Sequence, residues 1–180
     1  MTISERALQA ASKWGLPVKE AAEEPTGRDR REAERAVAYW EEKVEALGEA
    51  TIAVLDLAAI DDEDWANRFL IAIDEKVERS VLLMYGAQFA RLLGLPPKPQ
   101  THLPLERQLP PRFAEIFMQA CRETPLRDEP LRLEGEIERD AGRVEQYRAV
   151  FIPVKVRPGS RTHFAFGAFN GRIVEPALAA

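Results

Sequence analysis

The stretch 149–156, AVFIPVKV, decides how this chain folds. It belongs to QYRAVFIPVKVRP, residues 146–158. A strand with one wet face alternates apolar and polar side chains, because successive side chains point to opposite faces. Here the alternation lasts only for the first few residues. Ala149, Val150, Phe151, Ile152, Val154 and Val156 then place apolar groups on both sides. Such a strand belongs inside a sheet that is covered front and back. Pro153 cannot donate a ladder bond, so it predicts a bulge or the place where the strand leaves a neighbour.

The flanking segments supply the rest of a sheet. Residues 163–171, HFAFGAFNG, put Phe164, Phe166 and Ala168 on one face and Ala165, Gly167 and Phe169 on the other. This strand is also dry on both sides and belongs in the middle. Residues 131–138, LRLEGEIE, alternate cleanly, with Leu131, Leu133 and Ile137 inward and Arg132, Glu134, Glu136 and Glu138 toward water. That pattern predicts an edge strand. Upstream, Arg68–Asp74 and Ser80–Tyr85 read as two further strands close enough to pair.

Helices are expected around this sheet. Residues 86–93 carry Phe89, Leu92 and Leu93 on one side, and Gly94 ends the segment. Residues 111–123 start with a proline where a helix tolerates it, and Phe113, Ile116, Phe117, Ala120 and Cys121 make one apolar face. Between them, 94–110 reads as a proline-rich loop. Near the N-terminus, residues 28–47 repeat Ala33, Val37, Trp40, Val44 and Leu47 in a four-three alternation. This is an amphipathic helix with no assigned surface to bury. We expect it, or its copy in a second subunit, to cover the outer face of the sheet. A shorter helix is expected over 3–14 and another around 61–67. The apolar run 52–60 suits either a strand or a buried helical turn. The divisions expected are a helical extension over 1–48, a connector over 49–67, a domain over 68–174 and a tail over 175–180.

Bulk properties narrow the function classes. The chain has 180 residues, 46% hydrophobic and 31% charged, with a formal net charge of -5. An acidic balance argues against general nucleic-acid binding. The N-terminal residues lack a signal-peptide core, and no run approaches the ~18 apolar residues that mark a membrane span. A cytoplasmic protein is expected. A single cysteine excludes an intrachain disulfide, and neither histidine has metal-ligand spacing around it. Asp61–Asp64 are consecutive, unlike the spaced donors of a calcium loop, and read as a solvated helix start. No phosphate-cradling glycine loop and no nucleophile elbow occur.

The order helix, strand, strand, short helix, loop, helix, strand, strand, strand is similar to that of PAS domains. The segments carrying the resemblance are RFLIAID, SVLLMYGAQFARLLG, QLPPRFAEIFMQAC, GEIERDAGRVEQYRAVFIPVKV and HFAFGAFNGR. The chain resembles in particular small bacterial proteins in which a PAS-like fold follows a helical N-terminal part. The fold class implied is α+β, a five-stranded antiparallel sheet with helices on one face and an N-terminal amphipathic helix. The resemblance implies a non-catalytic sensory or regulatory module for signal transduction. Such a module holds a small ligand, a protein partner or both, and forms a homodimer through the helix before the first strand. Val37, Trp40, Val44 and Leu47 are then the packing residues of that helix.

The ligand pocket expected from the resemblance is lined by Tyr85, Phe89, Phe113, Phe117, Cys121, Arg148, Phe164 and Phe166, with Gly86, Ala87, Ala90, Gly135 and Gly167 leaving room. Aromatics at these spacings are equally the makings of a solid core. Neither the Asn-Cys-Arg-Phe motif of flavin-binding relatives nor a histidine on 111–123 for haem is present, so no cofactor is assigned. Cys121 reads as a core thiol. Arg148, on the face shared with Val150 and Ile152, calls for a carboxylate such as Glu134 or Glu136, or for a bound anion. Two rival readings remain: an interaction adaptor without a ligand, and a small cavity enzyme pairing His163 with Glu134 or Glu136.

Overall fold

The computed structural model describes residues 27–48 and 51–175. The expected helix over 3–14 lies outside them. Helix α1 spans Gly27–Leu47. Strands β1, Arg68–Ala72, and β2, Val81–Tyr85, come next. Helices α2, Ala87–Leu93, α3, Leu105–Gln108, and α4, Pro111–Glu123, follow. Strands β3, Leu131–Glu138, β4, Val144–Lys155, and β5, Thr162–Val174, complete the chain.

The five strands form one antiparallel sheet in the order β2-β1-β5-β4-β3. With helices α2–α4 on one face and α1 on the other, this is a PAS-like α+β fold. The two-faced strands β5 and β4 stand inside the sheet, and the alternating β3 stands at its edge. Pro153 pairs with Ala165 of β5, whereas the last β3 partner of β4 is Phe151. The proline therefore sits beyond the end of β3, where a missing amide leaves no β3 carbonyl unpaired. A ladder irregularity lies next to it, between Val154 and Lys155.

Two apolar layers sandwich the sheet. The inner layer joins Phe69, Ile71, Leu82, Ala149, Phe151, Ala165 and Phe169 to Phe89, Phe113, Ile116, Phe117 and Cys121. The outer layer joins Leu70, Val150, Ile152, Val154, Phe166 and Ala168 to Ala36, Val37, Leu55 and Trp65. Thus α1 covers the outer face of its own sheet. Its stripe is rotated slightly from the sequence expectation. Ala36 and Val37 are closed off, Ala33, Tyr39 and Trp40 pack partly, Val44 is half-buried, and Leu47 is 60% exposed. Gly48, at positive φ, stops the helix, its amide donating to the Val44 carbonyl at 2.7 Å.

Two local readings are corrected. Of the two alternatives for 52–60 the helical turn holds, as 3₁₀, and the helix expected around 61–67 shrinks to one 3₁₀ turn. Residues 52–65 make three short 3₁₀ turns, Ile52–Val54, Leu57–Asp61 and Glu63–Trp65, that bring Leu55 and Trp65 into the outer layer. The proline-rich loop also contains α3, whose Gln108 clamps edge strand β2. The Leu82 amide donates to Gln108 Oε1 at 2.7 Å, and Gln108 Nε2 donates back to the Leu82 carbonyl at 3.0 Å. The Leu105 amide adds a bond to the Ser80 carbonyl at 2.7 Å.

Candidate functional site

Strand pairing separates the eight expected pocket residues. Tyr85, Phe89, Phe113, Phe117 and Cys121 belong to the inner layer. Phe166 belongs to the outer layer and Phe164 packs against it. Register fixes this division, because Phe166 stands beside Leu70 and Ile152, both outward. Arg148 is on the outer side too, next to Glu134 in the ladder, and its Nη2 lies 2.9 Å from Glu134 Oε2. These eight side chains do not line one pocket. The sheet lies between the two groups, and the carboxylate reading of Arg148 holds.

The inner group is filled by its own rings. Phe69 lies 5.2 Å from Phe89, 5.4 Å from Phe117 and 5.1 Å from Phe151, centroid to centroid. Phe169 reaches Phe113 at 5.0 Å and Phe117 at 6.0 Å. Most of these pairs are tilted or edge-on, the arrangements aromatic quadrupoles favour. The glycines expected to leave room do so for neighbouring side chains. A Cβ on Gly167 would fall 2.5 Å from Phe69 Cζ and 2.0 Å from the Val150 carbonyl oxygen. One on Gly135 would fall 2.8 Å from the Tyr147 hydroxyl. One on Gly86 would fall 1.9 Å from the Trp65 carbonyl oxygen, which shows a tight backbone approach.

Titratable groups stand at the margin of this layer. The Tyr85 hydroxyl donates to the Pro96 carbonyl at 2.6 Å, and burial raises its pKa. Burial pushes the Cys121 thiol and the Tyr147 phenol each up to about 12. Such a thiol stays protonated and unreactive near neutral pH. Glu145, missed by the sequence reading, is buried and accepts from two arginines on one oxygen. Arg112 Nε donates to Oε2 at 2.8 Å and Arg139 Nη1 at 3.0 Å. The triad ties the start of α4 to the β3–β4 hairpin.

The outer face has an apolar half and a polar half. On the polar half, Glu136, Gln146 and Arg172 form a cross-strand chain beside the Glu134–Arg148 pair. Gln146 Nε2 donates to Glu136 at 2.7 Å, and Arg172 Nε donates to Gln146 Oε1 at 3.0 Å. On the apolar half, beneath α1, lies the residue that stands out electrostatically. Arg68 is 7% exposed. Its guanidinium carbon is 4.9 Å from the Tyr39 ring centre, 5.8 Å from Trp65 and 5.9 Å from Phe166. Burial lowers its pKa, opposed by the nearby charge of Asp64. Three aromatic faces from three parts of the chain thus hold one cation, and Tyr39 of α1 is the nearest.

Around this centre polar ties join α1 to the rest of the domain. Arg35 pairs with Asp64, and Arg132 Nε lies 3.3 Å from Glu34. The Asp56 amide donates to the Tyr39 hydroxyl at 2.8 Å. The sequence signal for this junction was an arginine heading an otherwise apolar strand, RFLIA.

The catalytic pair considered from sequence is not assembled. His163 lies seven residues along β5 from Asn170, which stands level with Arg148 and Glu134. That is about 23 Å at the rise of a strand. Among the described residues, no three histidine, cysteine or acidic side chains group as metal ligands. No described helix is long and apolar enough to cross a membrane.

No family model matches the chain, and no curated protein matches it. Solved structures similar to it include a Rhodobacter sphaeroides LOV protein, with 12% identity, a TM-score of 0.39, and coverage of 79% of this chain and 68% of that one. A fungal LOV domain photoreceptor has 18% identity and a TM-score of 0.34, covering 65% of this chain and 80% of that one. The PAS domain of an HTR-like protein from Haloarcula marismortui has 14% identity and a TM-score of 0.36, covering 73% and 99%. The PAS-like description of this chain rests on its own strand order and helix placement.

Proposed function

We propose that this chain is a non-catalytic regulatory domain that acts through protein contacts, with α1 as the element whose position carries the signal. The observation that carries the reading is the contrast between the two faces. The inner layer, where the resemblance implied a small ligand, is occupied by interlocked phenylalanine rings. The outer layer is closed by α1 together with Leu55 and Trp65 of the 3₁₀ turns, and the deep contacts of α1 are Ala36 and Val37, with Tyr39 and Trp40 at their flanks. A helix docked on a sheet through one apolar stripe can exchange its own sheet for another surface, and a partner that prefers one arrangement shifts the population toward it. Homodimerisation through α1 is one form of this exchange, since Leu47 already stands exposed at its end.

Solution mass, urea stability and native mass spectrometry test the reading on the full chain and on a chain beginning at Thr51. The full chain is expected to carry no small molecule. The shortened chain, with Leu70, Val150, Ile152 and Phe166 uncovered, is expected to self-associate or lose stability. Equal monomeric mass and equal stability for the two would remove α1 from the mechanism. A stoichiometric small molecule on the full chain would instead favour a ligand sensor.

A further inference from the structure

We infer that α1 is docked in a metastable way, because docking shuts two polar groups away from water that undocking returns to it: the Trp40 indole N–H and the Arg68 guanidinium. This deepens the proposal that α1 carries the signal and rests on it. Trp40 Nε1 is closed off from solvent, and among the described residues no protein group accepts from it. It is a donor-only group, so no rotation of its own hydrogen relieves it. Buried donors in folded proteins are nearly always paired, and leaving one unpaired forfeits its hydration without compensation. Arg68 has aromatic faces around it, which return part of the lost hydration but not all.

Both penalties fall on the same event. Trp40 is on α1 itself, and Tyr39, its neighbour in sequence, is the nearest ring over Arg68. Among the polar ties that oppose them, Arg35–Asp64 and Glu34–Arg132 join largely exposed side chains and contribute little, and the Asp56 amide bond to the Tyr39 hydroxyl is exposed too. Lifting α1 therefore costs the contacts of Ala33, Ala36, Val37 and Trp40, and those of Tyr39 with Arg68 and Phe166, but rehydrates one donor and one cation. The helix is balanced rather than locked, while the sheet beneath it is closed by its inner layer.

Amide hydrogen exchange on the full chain tests this. In the unaltered protein, amides of residues 36–44 are expected to be protected, yet to exchange faster than those of β5. Trp40→Phe keeps a ring in place and removes the unpaired donor. It is expected to slow exchange in α1 by roughly fivefold while leaving β5 unchanged. Val37→Ala, which removes buried methyls and relieves nothing polar, is expected to speed it. Exchange in α1 of Trp40→Phe that is unchanged or faster would overturn the metastability alone. Unprotected α1 amides in the unaltered protein would show the helix undocked and would overturn the functional reading as well.

Discussion

Gly167→Ala separates a packed interior from a ligand cavity. Were Gly167 the floor of an empty space, one methyl group would be tolerated there. Here the added carbon meets the Val150 carbonyl oxygen at 2.0 Å and Phe69 Cζ at 2.5 Å. Ordinary carbon contacts begin near 3.5 Å, so both neighbours must retreat by about 1 Å or more. Phe69 has nowhere to go, because Phe89, Phe117 and Phe151 surround it at 5.1–5.4 Å. The carbonyl belongs to β4, which pairs with β5 on one side and β3 on the other. Overpacking of a core costs about 1–3 kcal/mol where side chains can adjust. With a backbone oxygen of an inner strand also displaced, we expect about 4 kcal/mol, read as a drop in the urea midpoint at unchanged slope. Gly171→Ala, whose nearest neighbour would be Phe169 at 3.3 Å, is the control, with an expected loss of about 1 kcal/mol or less. Equal stabilities for Gly167→Ala and the unaltered protein would refute both the filled interior and the β1–β5–β4 register.

Three further outcomes are expected. Tyr147, its phenol pushed up to about 12 by burial, is folded in its neutral form. Its contribution is complete below pH 10 and is lost as pH rises from 10 toward 12, by about 2–3 kcal/mol. Urea midpoints measured across that range should fall, and less steeply in Tyr147→Phe. Cys121 should resist a thiol reagent at pH 8 in the folded protein and react once urea unfolds it, since burial keeps the thiol protonated. Glu145→Gln should cost about 2 kcal/mol in urea unfolding. It removes the charge shared by Arg112 and Arg139, and both guanidinium groups are partly open to water, which moderates the loss.

What the sequence made legible was whatever depends on alternation within one element. The two-faced run Ala149–Val154 put β4 inside the sheet, although Val156 falls past its end and is exposed, and the even spacing of Arg132, Glu134 and Glu136 put β3 at its edge. The Phe113–Phe117 face of α4 was visible for the same reason. What stayed hidden depends on register between distant elements. Parity separates Phe166 from Phe169 but does not say which of them meets α4; pairing with Leu70 and Ile152 does. Arg68 finds Tyr39 and Phe166 across 29 and 98 residues of sequence, beyond any local pattern. The one-turn helix α3 is too short to show a helical period, and the run 52–60 resolved into 3₁₀ turns that follow the corner of the sheet.

The Gln108 clamp has a consequence for assembly. A side-chain amide occupies the backbone positions of Leu82 where another molecule's strand would hydrogen-bond, and Leu105 takes the carbonyl of Ser80. The β2 rim is thereby blocked at Leu82, whereas the β3 rim carries acidic side chains and, among the described residues, no such plug. If copies of this chain were joined through the described rims alone, the pairing would close at two, because endless stacking needs two open rims and the described residues leave one.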